Sequence, residues 1–273
     1  MYKKYLITGA SGFLGSAVIN LLVSSSAKVY ALTLPNDSLS DNLPEEVIRI
    51  KGDVCDFSSL SEFFHTADES TCVIHCAGIV SVASRPSDKL YQVNVNGTKN
   101  ILSSLESRNV AKFIYVSSVH AIPQQPKGIP IKEVSEFSPE RVVGEYAKTK
   151  AAATQAVLDA AKRGLNASIV FPSGIIGPND EAKGSITSML SAYLSGKLPI
   201  AVKGGYDFVD VRDVAAGIVS CTEKGVKGEG YILSGSYATI KEMIDCAKNV
   251  TGMKKRVTYF PIGVAKAVAP LYE

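Results

Sequence analysis

A tyrosine and a lysine four residues apart on a helix share one face, so a phenol and an ammonium can meet there and handle a proton. The chain carries this Y-x-x-x-K spacing at Tyr146/Lys150 in "GEYAKTKAAA", at Tyr193/Lys197 in "YLSGK" and at Tyr237/Lys241 in "YATIK". Spacing alone does not choose among them, but local context does. Gly196 and Pro199 break the helical face around Tyr193 and Lys197. Thr239 and Glu242 form a capping-box pattern, which puts Tyr237 ahead of the helix that holds Lys241. Tyr146 and Lys150 are expected mid-helix, downstream of a strand that ends in two serines, Ser117 and Ser118, in "YVSSVH". Ligands of open parallel sheets bind beyond the C-terminal strand ends, so that order brings serine, tyrosine and lysine to one crevice.

A second group of residues suits phosphate. In "YLITGASGFLG", Gly9, Gly12 and Gly15 follow a strand directly and open a helix. Gly9 permits the tight turn, Gly12 lets the backbone approach a pyrophosphate, and Gly15 lets the helix sit close to the strand. The helix N-terminus adds N–H groups and a partial positive charge. Ser11, Phe13 and Leu14 complete this loop as cofactor-binding candidates. The second strand ends "VYALTLPND", with Thr33 and Leu34 where an acid for a ribose 2′-hydroxyl or an arginine for a 2′-phosphate would stand. Asp37 follows a few residues later, so NAD and NADP both remain open. Asp53 in "GDVCD" is placed to accept from an adenine amino group, with the Val54 backbone nearby, and Ala77 and Gly78 in "HCAG" can pass close to the cofactor's middle section.

These positions need a frame. Short β-branched runs ("KYLIT", "KVYAL", "EVIRI", "CVIHCAG", "KFIYVSS", "ASIVFP") alternate with helical stretches, among them "GFLGSAVINLLVS", "SDKLYQVNVNGTKNILSSLES" and an alanine-rich helix that Gly164 closes. That alternation predicts an α/β fold, a Rossmann-type doubly wound parallel sheet over residues 1–177. From about Pro178 the pattern loosens, and residues 178–273 are expected to form a smaller C-terminal substrate lobe, with "GYILSG" and "RVTYFP" as its short strands.

Composition narrows the function classes. The chain has 273 residues, 46% of them hydrophobic, with a net charge of +3 spread along its length. An ordered globular protein is expected, with a small-molecule substrate and neither nucleic acid nor membrane as partner. No apolar run approaches the roughly 18 residues of a membrane span, and "MYKKYLITGA" lacks the apolar region of a secretory signal. The expected location is cytoplasmic. Five cysteines without a C-x-x-C pair are expected as reduced, mostly buried thiols. Three histidines, His65, His75 and His120, lack metal-site spacing, so no metal is expected.

In their joint order, "TGASGFLG", "GDVCD", "CAG", "NVNGTKN", "YVSS", "YAKTK", "FPSGIIGP" and "DFVDVRDVA" make the chain resemble the short-chain dehydrogenase/reductase superfamily. The likeness is to its extended branch of NAD(P)-dependent epimerases, dehydratases and reductases. It implies that Tyr146 is the general acid/base, that Lys150 binds the nicotinamide ribose and lowers the tyrosine pKa, and that Ser118 orients the substrate oxygen. A phenol ordinarily titrates at roughly 10, and a neighbouring ammonium favours tyrosinate. Pro172 and Ser173 resemble the segment beside the nicotinamide carboxamide, and Asn94 a structural asparagine that bridges backbone groups. Members commonly continue past the point where this chain ends at "VAPLYE", which implies a C-terminally shortened lobe, and a two-fold homodimer is common among them. The resemblance implies an oxidoreductase that reduces a carbonyl or oxidises a secondary alcohol, as dihydroflavonol-reductase-like and hydroxysteroid-dehydrogenase-like members do. The alternatives are an NAD-dependent nucleotide-sugar epimerase or dehydratase, and a non-catalytic dinucleotide sensor.

Overall fold

The computed structural model describes residues 2–25, 27–81, 87–126, 128–261 and 263; the final "VAPLYE" lies outside them. Along the chain run β1 (Lys4–Thr8), α1 (Phe13–Leu22), β2 (Lys28–Thr33), β3 (Ile48–Lys51), α2 (Leu60–Phe64), β4 (Thr71–His75), α3 (Asp88–Tyr91), α4 (Thr98–Leu105), β5 (Lys112–Val116), α5 (Glu145–Lys162) and β6 (Ala167–Pro172). Then follow β7 (Gly174–Ile176), α6 (Ser185–Leu194), β8 (Ile200–Lys203), β9 (Gly205–Asp210), α7 (Val211–Lys224), β10 (Gly230–Leu233), β11 (Ser236–Thr239), α8 (Ile240–Thr251) and β12 (Thr258–Pro261).

Seven strands form one sheet in the order β10-β6-β5-β4-β1-β2-β3, and every ladder in it is parallel. Strands β4, β5 and β6 are buried along their whole length, which is why they read as continuous apolar runs rather than alternating ones. The chain travels outward from β1 to β3 and then returns to place β4 on the other side of β1. That reversal is the switch point of a doubly wound sheet, where ligand crevices open beyond the strand ends. Helix α1 buries Gly15, Val18, Ile19 and Leu22 along one stripe. Gly9 turns the chain from β1 into α1 at φ +65°, a backbone region that suits glycine.

The chain divides into two compact units, Met1–Ser173 with Val211–Leu233, and Gly174–Asp210 with Ser234–Glu273. The single boundary expected after residue 177 therefore differs from the observed division. "GYILSG" does not join the smaller lobe: β10 pairs with β6, Gly230 opposite Ile169 and Leu233 opposite Pro172. Helix α7 returns with it and packs on α1, burying Val211, Val214, Ala215 and Ile218. A short strand's hydrophobic pattern does not say which sheet edge it will extend. The second unit holds a β11-β9-β7 sheet and a parallel β12-β8 pair, with the Thr239/Glu242 capping box opening α8 as expected.

Two further expectations change. The single long helix expected over "SDKLYQVNVNGTKNILSSLES" is interrupted by a π-helical turn, Gln92–Gly97. All five cysteines are unbridged as expected, but only Cys72 and Cys221 are buried; Cys55 and Cys246 are exposed and Cys76 is intermediate. Among the described residues, no helix is long and apolar enough to cross a membrane.

A methyl group on Gly15 would overlap the Gly9 carbonyl oxygen. Gly15→Ala must push α1 away from the β1 turn, and overpacking of this kind costs about 1–3 kcal/mol. The expected outcome is a lower urea midpoint with an unchanged denaturant slope.

Candidate active site

Helix α5 begins at Glu145, led in by Gly144 at φ +98°. Tyr146 is therefore in the first turn rather than mid-helix, and Lys150 lies one turn further on. The helix packs against β6, the π-helical turn and a 3-10 turn at Val119–Ala121. Its small residues Ala147, Ala151 and Ala153 are all buried, which lets it lie close to its neighbours.

Lys150 is only 5% exposed. Its Nζ donates to the Val116 carbonyl at 2.9 Å and stands 5.1 Å from the centroid of the Tyr115 ring. A methyl group on Gly78 would come within 3.3 Å of the same nitrogen. Burial pulls the ammonium down to about 8, opposed by the Cys76 thiol.

The two serines after β5 point to different tasks. Ser117 Oγ is 2.6 Å from Thr154 Oγ1 on α5, in the interior. Ser118 Oγ accepts from the His120 backbone N–H at 3.2 Å, capping the 3-10 turn, so its own proton is left to donate. The His120 ring stands edge-on to Tyr146 with centroids 5.8 Å apart. Ser118 thus stands just past the C-terminal end of β5, where Lys150 donates to the Val116 carbonyl, and the ring of His120, two residues after Ser118, meets Tyr146.

The competing pairs separate as expected. Tyr193 is buried near the end of α6, and Gly196 at φ +72° ends that helical path before Lys197. Tyr237 lies on β11, while Lys241 sits on α8 and pairs with Asp245.

The residues present fit a dinucleotide. Helix α1 starts at Gly12 with no side-chain cap and no acid in its first turn, which leaves its N-terminal N–H groups suited to an anion. Gly9, Gly15 and Gly78 let neighbouring segments close with no side chain between them, a methyl on Gly9 meeting the Ala77 nitrogen at 2.6 Å, whereas a methyl on Gly12 would meet only the Gly9 carbonyl oxygen, at 3.2 Å, which leaves the loop open there to a ligand. Two of the expected cofactor residues, Thr33 and Ser173, carry buried hydroxyls without a hydrogen-bond partner. Pro172 ends β6 beside Ser173, whose N–H donates to the Leu233 carbonyl at 3.0 Å. Asp53 and Val54 follow β3; Asp53 Oδ1 accepts from the Cys55 N–H at 2.8 Å, and the Val54 carbonyl accepts from Asn100 at 2.8 Å.

Sequence reasoning left Asp37 unassigned. In the structure Ser11 Oγ of the glycine turn donates to Asp37 Oδ2, while Oδ1 accepts from the Leu39 N–H at 3.0 Å. The carboxylate is thus returned to the phosphate loop from four residues beyond β2. A Ser-to-acid bond across 26 positions leaves no local sequence signal. His75 closes the apolar run "CVIH", a visible irregularity whose partners the sequence does not show.

A seven-stranded parallel sheet with a glycine turn at its switch point defines a Rossmann-type nucleotide-binding protein. Residues 5–234 match the model of the NAD dependent epimerase/dehydratase family, and the chain belongs to that family. It is 29% identical over 270 residues to sterol demethylase protein B of Methylococcus capsulatus, covering 97% of this chain and 80% of that protein. It is 29% identical over 258 residues to a putative dihydroflavonol 4-reductase of Synechocystis, covering 93% and 74%. The crystal structure of gox2253 superposes with a TM-score of 0.88 at 29% identity, covering 98% of this chain and 81% of that one.

The value of about 8 for Lys150 lies below the ordinary lysine value of 10.5. Between the two the unfolded chain binds more protons than the folded one, so this group makes stability rise with pH across that window. A lysine side-chain NMR titration of the cofactor-free protein should show one resonance, absent from Lys150→Arg, moving with a midpoint near 8.

Proposed function

We propose that this protein is an NAD-using oxidoreductase that reduces a carbonyl or oxidises the corresponding secondary alcohol, with Ser118, Tyr146 and Lys150 as its catalytic residues. The observation that carries the reading is the desolvated Lys150 ammonium, set beside Gly78 and one helical turn from Tyr146. When bound, the nicotinamide supplies or takes up the hydride. Tyr146 gives its phenolic proton to the substrate oxygen during reduction and takes it back during oxidation. Lys150 donates to a ribose hydroxyl while its charge favours the tyrosinate. Ser118 donates its proton to the same substrate oxygen and stabilises the charge that develops there. The likeness to a putative dihydroflavonol 4-reductase supports this chemistry.

Asp37 supports NADH as the cofactor over NADPH. A carboxylate tied to the phosphate loop by Ser11 can accept from the ribose 2′-hydroxyl, whereas a 2′-phosphate would place like charges together.

Tyr146→Phe should lower turnover by about 10²–10⁴-fold while leaving the NADH dissociation constant nearly unchanged. Turnover at the original rate on any substrate found would rule out the assignment. In fluorescence titrations the protein should bind NADH more tightly than NADPH, and Asp37→Ser should narrow that ratio by about tenfold, the factor set by 1.4 kcal/mol. An unchanged ratio would remove Asp37 from the ribose site.

A further inference from the structure

His75 has no part in the chemistry proposed above, yet it is fully buried where the strand order reverses. Its ring stacks on Tyr115, centroids 5.7 Å apart, and on Phe113 at 6.4 Å. Tyr115 is the same ring over which the Lys150 ammonium stands. Both imidazole nitrogens are engaged, Nδ1 with Thr8 Oγ1 at 2.6 Å and Nε2 with Thr98 Oγ1 at 3.0 Å.

The neighbours assign every proton in this arrangement. Thr8 Oγ1 accepts from the Ala77 N–H at 3.2 Å, and its own proton points to Nδ1. Thr98 Oγ1 spends its proton on the Asn94 carbonyl at 2.8 Å, so it accepts from Nε2–H. The imidazole is thus held neutral with one donor and one acceptor, and burial, with the Lys150 charge as a lesser cause, pushes its pKa down to about 3.

Beyond Thr98 the chain of bonds continues through the π-helical turn. Asn94 donates through Nδ2 to the Ile79 carbonyl at 3.0 Å and accepts through Oδ1 from the Ile79 N–H at 2.8 Å. The same Nδ2 donates to Thr149 Oγ1 at 3.1 Å, and Thr149 donates to the Tyr146 carbonyl at 2.8 Å. One continuous series therefore links the end of β1, the backbone strip Ala77–Ile79, the π-helical turn and the first turn of α5. A π-helical insertion within a helix often marks a functional position; here it aims Asn94 at the strip.

We infer that His75 is a positioning residue, the hub of a hydrogen-bonded chain that sets the spacing between the phosphate loop and the first two turns of α5, which carry Tyr146 and Lys150. Its neighbours Cys76, Ala77 and Gly78 form the strip packed against Gly9 on one side and Lys150 on the other. Loosening the strip would let water reach the ammonium and would misalign the phosphate loop. This inference rests on the reading of Lys150 as a cofactor-holding residue, so its test needs a readout that does not depend on turnover.

Two variants cut the chain while keeping shape: His75→Phe retains the stacked ring, and Thr98→Val retains the branched side chain. Thr98→Ser keeps the hydroxyl and serves as the rescue. In His75→Phe and Thr98→Val the Lys150 NMR midpoint of the cofactor-free protein should move upward from about 8. NADH should bind about tenfold or more weakly, since small misplacements carry large costs in preorganised sites. Thr98→Ser should match the parent in both. If His75→Phe does not fold, Thr98→Val decides. Folded variants with a lower melting temperature but an unchanged Lys150 midpoint would overturn the inference, since a merely structural histidine predicts that pattern. If the parent fails to bind NADH, the functional reading fails while the lysine titration still judges His75.

Discussion

Taking a lysine ammonium out of water costs several kcal/mol unless its surroundings compensate, and the larger unit of this molecule holds one such group at the end of its sheet. Lys150 is held by the Val116 carbonyl and by the face of Tyr115. That placement requires α5 to lie close to the sheet, which its buried alanines permit, and requires the strip after β4 to pass without a side chain, which Gly78 permits. The cost is retained at the site as a lowered pKa. An ammonium so poorly hydrated interacts strongly with any hydroxyl or developing negative charge brought beside it.

The same strip constrains the phosphate loop. Gly9 packs so near Ala77 that a methyl would not fit between them, and Thr8, the residue before Gly9, is bonded to His75 at the end of β4. The glycine turn after β1 and the first turn of α5 are thus two ends of one buried polar network. Such networks rigidify a site when every member is satisfied. The histidine meets that condition only while it is neutral, and its surroundings keep it so.

Much of this was legible in the sequence because it depends on local pattern. The glycine turn, the parallel sheet and the placing of Tyr146 and Lys150 on one helix follow from glycine spacing, unbroken apolar runs and helix-breaking residues. What was not legible depends on contacts between distant positions. Whether "GYIL" extends the main sheet or the smaller one is decided by pairing with β6, and a four-residue strand carries no record of its partner. Asp37 stands four residues beyond β2 in the sequence, and only the turn after β2 folds it back to Ser11. His75 looked like an isolated histidine, since its threonine partners lie 67 and 23 positions away.

On the proposed function, the chain's own residues serve net exchange between a nicotinamide and a carbonyl, with the cofactor exchanging at each cycle. The most direct measurement follows NADH deuterated at the transferring carbon through reduction of a carbonyl substrate, reading both NADH loss and the position of the label. One NADH should be consumed per alcohol formed, with deuterium at the carbinol carbon. No NADH consumption with any carbonyl tested, together with epimerisation of a nucleotide sugar by protein that keeps its NAD, would contradict it.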